Sequence, residues 1–555
     1  MAMGLLKGGI PVPLHALQSR RAIVFLSIIS LVVLVTLWDN FAPIPPIPAH
    51  HPPPPGPHGP HGPHGPHDDA YVPVTVPPLH TDHGHGGHVP GGKPDPVAEK
   101  PVEKPAEKPA EVSIGSLTNS TAAPPPSSPL RDPMCANHPD TSNIAVVMKT
   151  GATESFARLP TQFLTVLRCI DDFLVFSDKA QTVAGVTVHD ALDGVLDEAM
   201  EGNKDFDLYR DQKACEIDQG PCTSGYDRAK AGWGLDKYKN IHMAEKTWRM
   251  LPDKDWYLFI DADTYVLWHT LVEWLGKLDP KKELYLGSVA YVGNFPFSHG
   301  GSGYILSRAA MEAVVGKNPG LANKYDVKIK DVCCGDFMFS QAAKDVADID
   351  VIQVWPTING EKPFTLPFGP SHWCHPIVTM HHMSTEELST FWEFETKLYS
   401  SSAAPASAPP SSPAKPAGPM LIRDIFNAFF SPRLDSRRKQ WDNMSDERFY
   451  LNHTANRTKE YTKKQLDRAV AEEKKSGAEM EAHVSFEHCR RACEADKKCF
   501  QYGFEDGVCG FGFSMRLGAP VPGKGIMAGW DVEKIKKWAG EHETCEEVLW
   551  PKTKN

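Results

Sequence analysis

Short apolar runs separated by helix-length stretches set the pattern of this chain beyond residue 140. Residues 144–148 (IAVVM) read as a buried strand, the stretch up to Cys169 as a helix and residues 173–176 (FLVF) as a second strand. Strand, helix, strand predicts a parallel α/β sheet. Residues 284–289, residues 304–307 with a helix over 308–315, and residues 351–355 extend the pattern. The strongest run is 256–266, WYLFIDADTYV, in which Tyr257, Leu258, Phe259 and Ile260 predict a strand buried on both faces. It ends abruptly in Asp261 and Asp263. Two carboxylates one residue apart at a strand's carboxyl end either hold one hard divalent cation together with phosphate oxygens, or begin a turn.

A different pattern opens the chain. Residues 22–38 (AIVFLSIISLVVLVTLW) carry no charge over 17 positions and, as a helix, would reach about 25 Å, enough to cross a thin bilayer once. Lys7, Arg20 and Arg21 precede this stretch and no Lys or Arg follows until Lys93. The positive-inside rule therefore predicts a cytosolic tail over 1–21, an uncleaved signal anchor over 22–38 and a lumenal remainder. Residues 39–140, with repeats such as PHGPHGPHGPH and EKPVEKPAEKPAE, hold too little apolar content to pack a core and are expected to form a disordered Pro/His/Gly-rich stalk. A folded unit is expected over 141–398, a Ser/Ala/Pro linker and sequon-bearing connecting segment over 399–483, and a last small unit over 484–555.

Composition sharpens the compartment. All 12 cysteines follow the anchor, as do N-x-Ser/Thr sequons at Asn119, Asn443, Asn452 and Asn456, which fits an oxidising lumen. A formal charge of −11 with no basic stripe excludes nucleic acid as a partner. In the last unit Cys489, Cys493, Cys499 and Cys509 read C-x3-C-x5-C-x9-C. The first pair fits one helical turn, so two bridges are expected to staple a helix to a small sheet. Seven cysteines lie between Cys135 and Cys374 and five between Cys489 and Cys545, so complete pairing within the chain requires at least one bridge between the two units.

Candidate chemistry sits at the strand ends and in three further stretches. A nucleotide is expected across the carboxyl ends of the first strands, near Lys149, Thr150, Gly151 and Asp178. Residues 299–303 (HGGSG), with Gly300 and Gly301, permit close backbone approach to a ligand or form an ordinary turn. Residues 333–336 (CCGD) place Asp336 ahead of an apolar helical run, as an N-cap or as a positioned base. Residues 372–382 (HWCHPIVTMHH) supply imidazoles for an O/N coordination sphere.

In this order the motifs resemble the Fringe-like glycosyltransferases of family 31, most closely the core 1 β1,3-galactosyltransferase branch, over roughly residues 143–384. The matching segments are DADTYV from Asp261, Gly300 to Ser307 for GG-x-G-Y-x-L-S, Asp336 for the acidic pair and His375 to His382 for the closing H-P-F-V-x-x-H-H type segment. Ala262 replaces the middle Asp of the metal motif, and Gly335 stands where the acidic pair has its first member. The last unit resembles a PAN/Apple module. The resemblance implies a GT-A-like nucleotide-sugar transferase domain, α/β in class, with a small disulfide-rich α+β domain after it. It implies Mn²⁺ held by Asp261, Asp263 and His382, with His381 as the alternative imidazole, and Asp336 as the catalytic base. The expected activity is inverting transfer of a hexose, galactose or N-acetylglucosamine, from a UDP-sugar to a glycan or glycoprotein hydroxyl, in the Golgi membrane as a single-pass type II protein. The rival expectation is a catalytically silent carbohydrate-binding or scaffolding glycoprotein.

Overall fold

The computed structural model describes residues 132–216, 218–401, 418–452 and 460–553. The expected anchor over 22–38, the stalk up to residue 131, the sequons at Asn119 and Asn456 and the linker stretch 402–417 lie outside the described residues. Among the described residues no helix is long and apolar enough to cross a membrane.

An eight-stranded mixed sheet forms the larger layer. Its strands are β1 (Ile144–Lys149), β2 (Phe173–Ser177), β3 (Gln181–Val183), β4 (Val186–Asp190), β5 (Trp256–Asp261), β6 (Tyr285–Gly287), β7 (Tyr304–Ser307) and β8 (Ile352–Gln353), in the spatial order β8-β6-β7-β5-β1-β2-β4-β3. β1 is central, fully buried along its length, and parallel to both β2 and β5. Continuous apolar runs are what a strand covered on both faces requires. The β1–β5 register sets Lys149 opposite Asp261, so the two strands end together with a cation beside a carboxylate.

The α/β class expected from the apolar runs is therefore present, with one difference in strand direction. β7 runs antiparallel to both β5 and β6, where the sequence pattern was read as a continued parallel sheet. A parallel crossover needs a dozen or more residues, usually helical. Between β6 and β7 the chain instead makes an antiparallel ribbon, Val289–Val292 with Phe295–Ser298, and returns through the tight Gly300–Gly303 turn.

Helices cover the sheet: α1 (Ser155–Leu164), α2 (Arg228–Asp236), α3 (Lys239–Met250), α4 (Gly335–Ala347) and α5 (Thr385–Ser401). The C-terminal region adds α6 (Phe486–Ala495), α7 (Val532–Glu541) and a five-stranded antiparallel sheet of β9 (Arg437–Lys439), β10 (Arg448–Leu451), β11 (Gln501–Glu505), β12 (Val508–Gly512) and β13 (Met527–Trp530), ordered β9-β13-β11-β12-β10. Cys489–Cys509 ties α6 to β12, and Cys493–Cys499 ties it to the turn before β11, so the two expected staples are formed. β9 and β10 come from the segment expected only to connect the units, and they form the two outer strands of this sheet. Asn443, counted among the sequons, is 1% exposed and its amide nitrogen donates to the carbonyls of Tyr502 and Gly529, so in the folded chain it is a structural side chain rather than a glycan acceptor.

All 12 cysteines are paired, and Cys374–Cys545 is the bridge between the units that the parity argument requires. Trp373 packs on Trp538 with ring centroids 4.8 Å apart and donates from its indole nitrogen to the His542 carbonyl. One apolar cluster runs from Ile144 and Trp256 through Trp373 and Phe426 to Met515 and Trp530, so the two sheets share a core.

Candidate active site

The carboxyl ends of β1 and β5 open into a cavity of about 390 Å³, lined among others by Lys149, Thr150, Gly151, Arg228, Trp233, Asp236, Lys239, Asp261, Asp263 and His381. A second cavity of about 260 Å³ adjoins it, sharing Lys149, Trp233, Asp236, Asp261 and His381 and adding His299, Gly300, Gly301, Cys333, Cys334, Asp336 and His382.

Asp261 is the last residue of β5, and the chain then turns, with the Thr264 N–H donating to the Asp261 carbonyl. The two carboxylates thus reach the cavity through a turn rather than by strand alternation. Asp261 lies 3.4 Å from the Lys149 ammonium. Burial pushes its carboxyl up to about 6, against the lysine. Ala262 is 2% exposed in the core, and its carbonyl accepts from Gln162, so a third aspartate here would be a buried charge among apolar side chains. Asp263 lies 3.1 Å from His381 Nε2 and 3.4 Å from an Arg158 guanidinium nitrogen. Burial opposes its charge, but His381 and Arg158 outweigh that and hold it below the usual carboxylate range.

Asp263, His381 and His382 each offer a ligand atom, all within 4.8 Å of one another. This carboxylate and imidazole set suits a divalent transition ion. Two further observations fit a metal: His381 Nδ1 is buried without a hydrogen-bond partner, and His382 holds φ at +60°, a left-handed conformation that a non-glycine residue adopts at a cost. Both histidines of the expected pair therefore stand at the cluster, while Asp261 is engaged with Lys149. His372 and His375, from the same sequence stretch, do not join it. His372 is buried against the Pro367 carbonyl, and the His375 carbonyl accepts from Ile422.

Lys149 and Lys239 bring two buried ammonium groups to the larger cavity. Lys149 hydrogen-bonds to Asp236, and Lys239 donates to the Thr150 carbonyl at 2.8 Å and to Asp178 at 3.1 Å. Burial works against both charges, but the carboxylates of Asp236, Asp261 and Asp178 outweigh it and hold both amines protonated. Asp178 itself does not line the cavity. It is 1% exposed, accepts from the Ala152 N–H, and holds the Thr150–Ala152 turn and Lys239 in place from behind. Thr150 and Gly151 line the cavity as expected.

The 299–303 loop ties the two halves together. A Cβ on Gly301 would fall 2.2 Å from the His381 ring, so only glycine lets the loop pass. The Gly300 N–H donates to Asp336 Oδ2 at 2.7 Å, placing the carboxylate beside the smaller cavity. Gly300 and Gly301 thus build the site around His381 and Asp336 and do not line the larger cavity. Asp336 is not the helix cap; the N-cap of α4 is Cys334, and Asp336 sits in the first turn with Oδ1 accepting from the Phe337 N–H. Gly335 occupies a close approach, because a Cβ there would lie 2.4 Å from the Lys237 carbonyl oxygen. No glutamate fits beside Asp336 with the chain on this path.

With this geometry in hand, the comparisons with known proteins add one domain assignment. Residues 204–351 match the Fringe-like family model. The matched span takes in α2, β5, the 299–303 loop and Asp336, and stops short of the His381–His382 pair. Among solved structures, the glycosyltransferase GlyE of Streptococcus pneumoniae TIGR4 is 12% identical over 48% of this chain and 65% of its own, less than two thirds of its length, with a TM-score of 0.25. The galactosyltransferase LGTC, solved with donor and acceptor sugar analogues, is 10% identical over 48% of this chain and 98% of its own, TM-score 0.23. A glycosyltransferase involved in glycosylating the major capsid of PBCV-1 is 12% identical over 45% and 99%, TM-score 0.20.

Arg158, Arg228, Trp233, Asp236 and Lys239 were not singled out from the sequence. They sit on or beside helices, where polar residues are common. The one signal near α2 was the crowding of Arg228, Lys230, Lys237 and Lys239 around Trp233, and Arg158 had none.

Proposed function

We propose that the chain is a metal-assisted, inverting glycosyltransferase with a GT-A-like domain, moving a hexose, galactose or N-acetylglucosamine, from a UDP-sugar to a hydroxyl of a glycan or glycoprotein. The observation that carries this reading is the meeting of three chemistries at two joined cavities: the Asp263, His381 and His382 donor set, two buried ammonium groups, and the separate carboxylate of Asp336. Asp263, His381 and His382 would hold Mn²⁺, with Asp261 facing the same cavity. When bound, the ion supplies positive charge toward the departing diphosphate. Lys149 and Lys239 bring N–H donors to the larger cavity, which has room for the diphosphate and its sugar, but their charge is already met by Asp236, Asp261 and Asp178, so the positive charge for an anionic leaving group would come from the metal. Asp336 takes the proton from the acceptor hydroxyl as it attacks. No protein acid is required, because the nucleotide leaves with its charge already balanced.

The same reading includes a single-pass type II placement in the Golgi membrane with the folded part lumenal. It is supported by the uncharged stretch 22–38, the basic residues before it and the complete pairing of 12 cysteines. The C-terminal unit, a doubly stapled helix on a five-stranded antiparallel sheet, supports a PAN/Apple-like module. Incubation with Mn²⁺ and a panel of UDP-sugars, followed by assay of free UDP and of labelled acceptor, tests the proposal. Release with one donor that stops on chelation is expected. No release with any donor would leave a silent carbohydrate-binding protein instead.

A further inference from the structure

The bridge Cys333–Cys334 joins adjacent residues, whereas the other five bridges span separations from 6 to 171. In the chain-entropy account a cross-link stabilises through the loop it closes, so this bridge has the least of the six to contribute. It stands instead at the site. Both cysteines line the smaller cavity next to Gly335 and Asp336, with Cys333 exposed and Cys334 half-buried. Their position is fixed by Gly335, which is pressed against the Lys237 carbonyl.

Trp233 lines the same cavity from α2 and is 63% exposed, a large aromatic side chain left in water. The remaining lining is polar and charged: Asp236, Lys237, His299 and Asp336 carry donors and acceptors. A disulfide and an indole supply apolar contact surface, and the groups around them supply hydrogen bonds. A pyranose ring has matching chemistry, with C–H faces that pack on apolar surface and hydroxyls around its rim. The cavity volume of about 260 Å³ suits one such ring rather than a nucleotide. A serine or threonine side chain offers no ring face and would leave both apolar walls uncovered.

We propose that the Cys333–Cys334 disulfide and Trp233 form an acceptor subsite for one terminal pyranose ring of a glycan, packed by its C–H faces so that a ring hydroxyl meets Asp336. This rests on the transfer reading above and narrows its acceptor to a sugar. The test uses the full chain in detergent with Mn²⁺ and the donor selected by the panel. Acceptors are a set of methyl hexopyranosides and N-acetylhexosaminides, set against a serine- and threonine-containing peptide. Transfer to a glycoside and not to the peptide is expected. The double variant Cys333→Ser, Cys334→Ser should raise the glycoside KM at least ~10-fold, the size of one lost packing contact, with UDP affinity in Mn²⁺ unchanged. Should that variant fail to fold, Trp233→Ala, at an exposed position that also borders the larger cavity, should raise the glycoside KM by a similar factor when measured at saturating donor. An unchanged glycoside KM in the double variant, or in Trp233→Ala if it alone folds, overturns the subsite, as does transfer to the peptide in place of the glycosides. A parent that releases no UDP from any donor overturns the transfer reading itself, and this is seen before any variant is compared.

Discussion

Replacing Asp336 by asparagine separates its chemical role from its structural one, and the structure sets the size of each. The carboxylate accepts two N–H groups, from Gly300 at 2.7 Å and from Phe337 at 2.8 Å, in the first turn of α4. Asparagine keeps one acceptor oxygen and presents an NH₂ group to the other donor. Losing one hydrogen bond to a charged acceptor costs about 1.5–3 kcal/mol, and losing an anion from the first helical turn about 0.3–1 kcal/mol. Because the side chain is half-buried and can rotate to keep the better bond, about 2 kcal/mol is expected in total. In a chain of this size that lowers Tm by only a few degrees. Removal of a positioned base costs far more, about 10² to 10⁴ in rate. Asp336 lines the smaller cavity and not the larger one, so UDP affinity in Mn²⁺ should be preserved. Calorimetric UDP titration, thermal melting and single-donor turnover, measured on one preparation, provide the three readouts. A folded Asp336→Asn variant with turnover within about threefold of the parent would refute the assignment, since no general base is that dispensable.

Asp263→Ala removes one of three donors and the shared partner of Arg158 and His381, so transfer should disappear and UDP binding should lose its metal dependence, as chelation of the parent would also show. Glu395 gives a pH prediction: it is buried beside a cavity of about 50 Å³, accepts from the Tyr265 hydroxyl, and burial pushes its carboxyl up to about 7 from 4.5. The fold favours the protonated form, so its contribution to stability is complete below pH 4.5 and is lost as pH rises to about 7, a fall of up to ~3 kcal/mol. Urea unfolding across that range should show a fall about 3 kcal/mol larger in the parent than in Glu395→Gln; parallel profiles would refute it. At Asn443 peptide mapping of the folded protein should find no N-glycan, because its buried amide is already committed to two carbonyls.

The parts of the site that the sequence disclosed are those where chemistry interrupts a strong pattern. Tyr257 to Ile260 are each at most 2% exposed, so a carboxylate ending that run stands out against an apolar background. The cysteine count foretold a bridge between units because parity does not depend on the fold. Local spacing also served for α6, where Cys489 and Cys493 lie one turn apart. Residues that reach the site from helices gave no such contrast: Asp236 and Lys239 are charged residues in a charged segment, and only the β1–β5 register and the placement of α2 and α3 bring them beside Lys149. Asp178 shows the opposite case. It sits at a strand end, where ligands are expected, but Lys239 fills the space in front of it. Gly335 reads as a lost acid in one dimension and as a point of backbone contact in three.

The histidine pair shows how far the site depends on the C-terminal unit. His381 and His382 follow a segment that is fastened along both sides. Cys374 is bridged to Cys545, the Leu549 N–H donates to the Cys374 carbonyl, and Trp373 is wedged against Trp538. Nearer the cluster, Thr379 and Met380 pair with Val266 and Tyr265, and the Met383 N–H donates to the Asp263 carbonyl. A residue held in a left-handed conformation, as His382 is, keeps that conformation only where its flanks are fixed. Both immediate flanks are held from the transferase side, at Thr379–Met380 before the pair and at Met383 after it, and the disulfide-rich unit holds the same segment farther upstream, at Trp373 and Cys374. The C-terminal unit therefore anchors the start of the segment that leads to the cluster and shares a core with β1 and β5, so it is built into the transferase rather than loosely tethered to it.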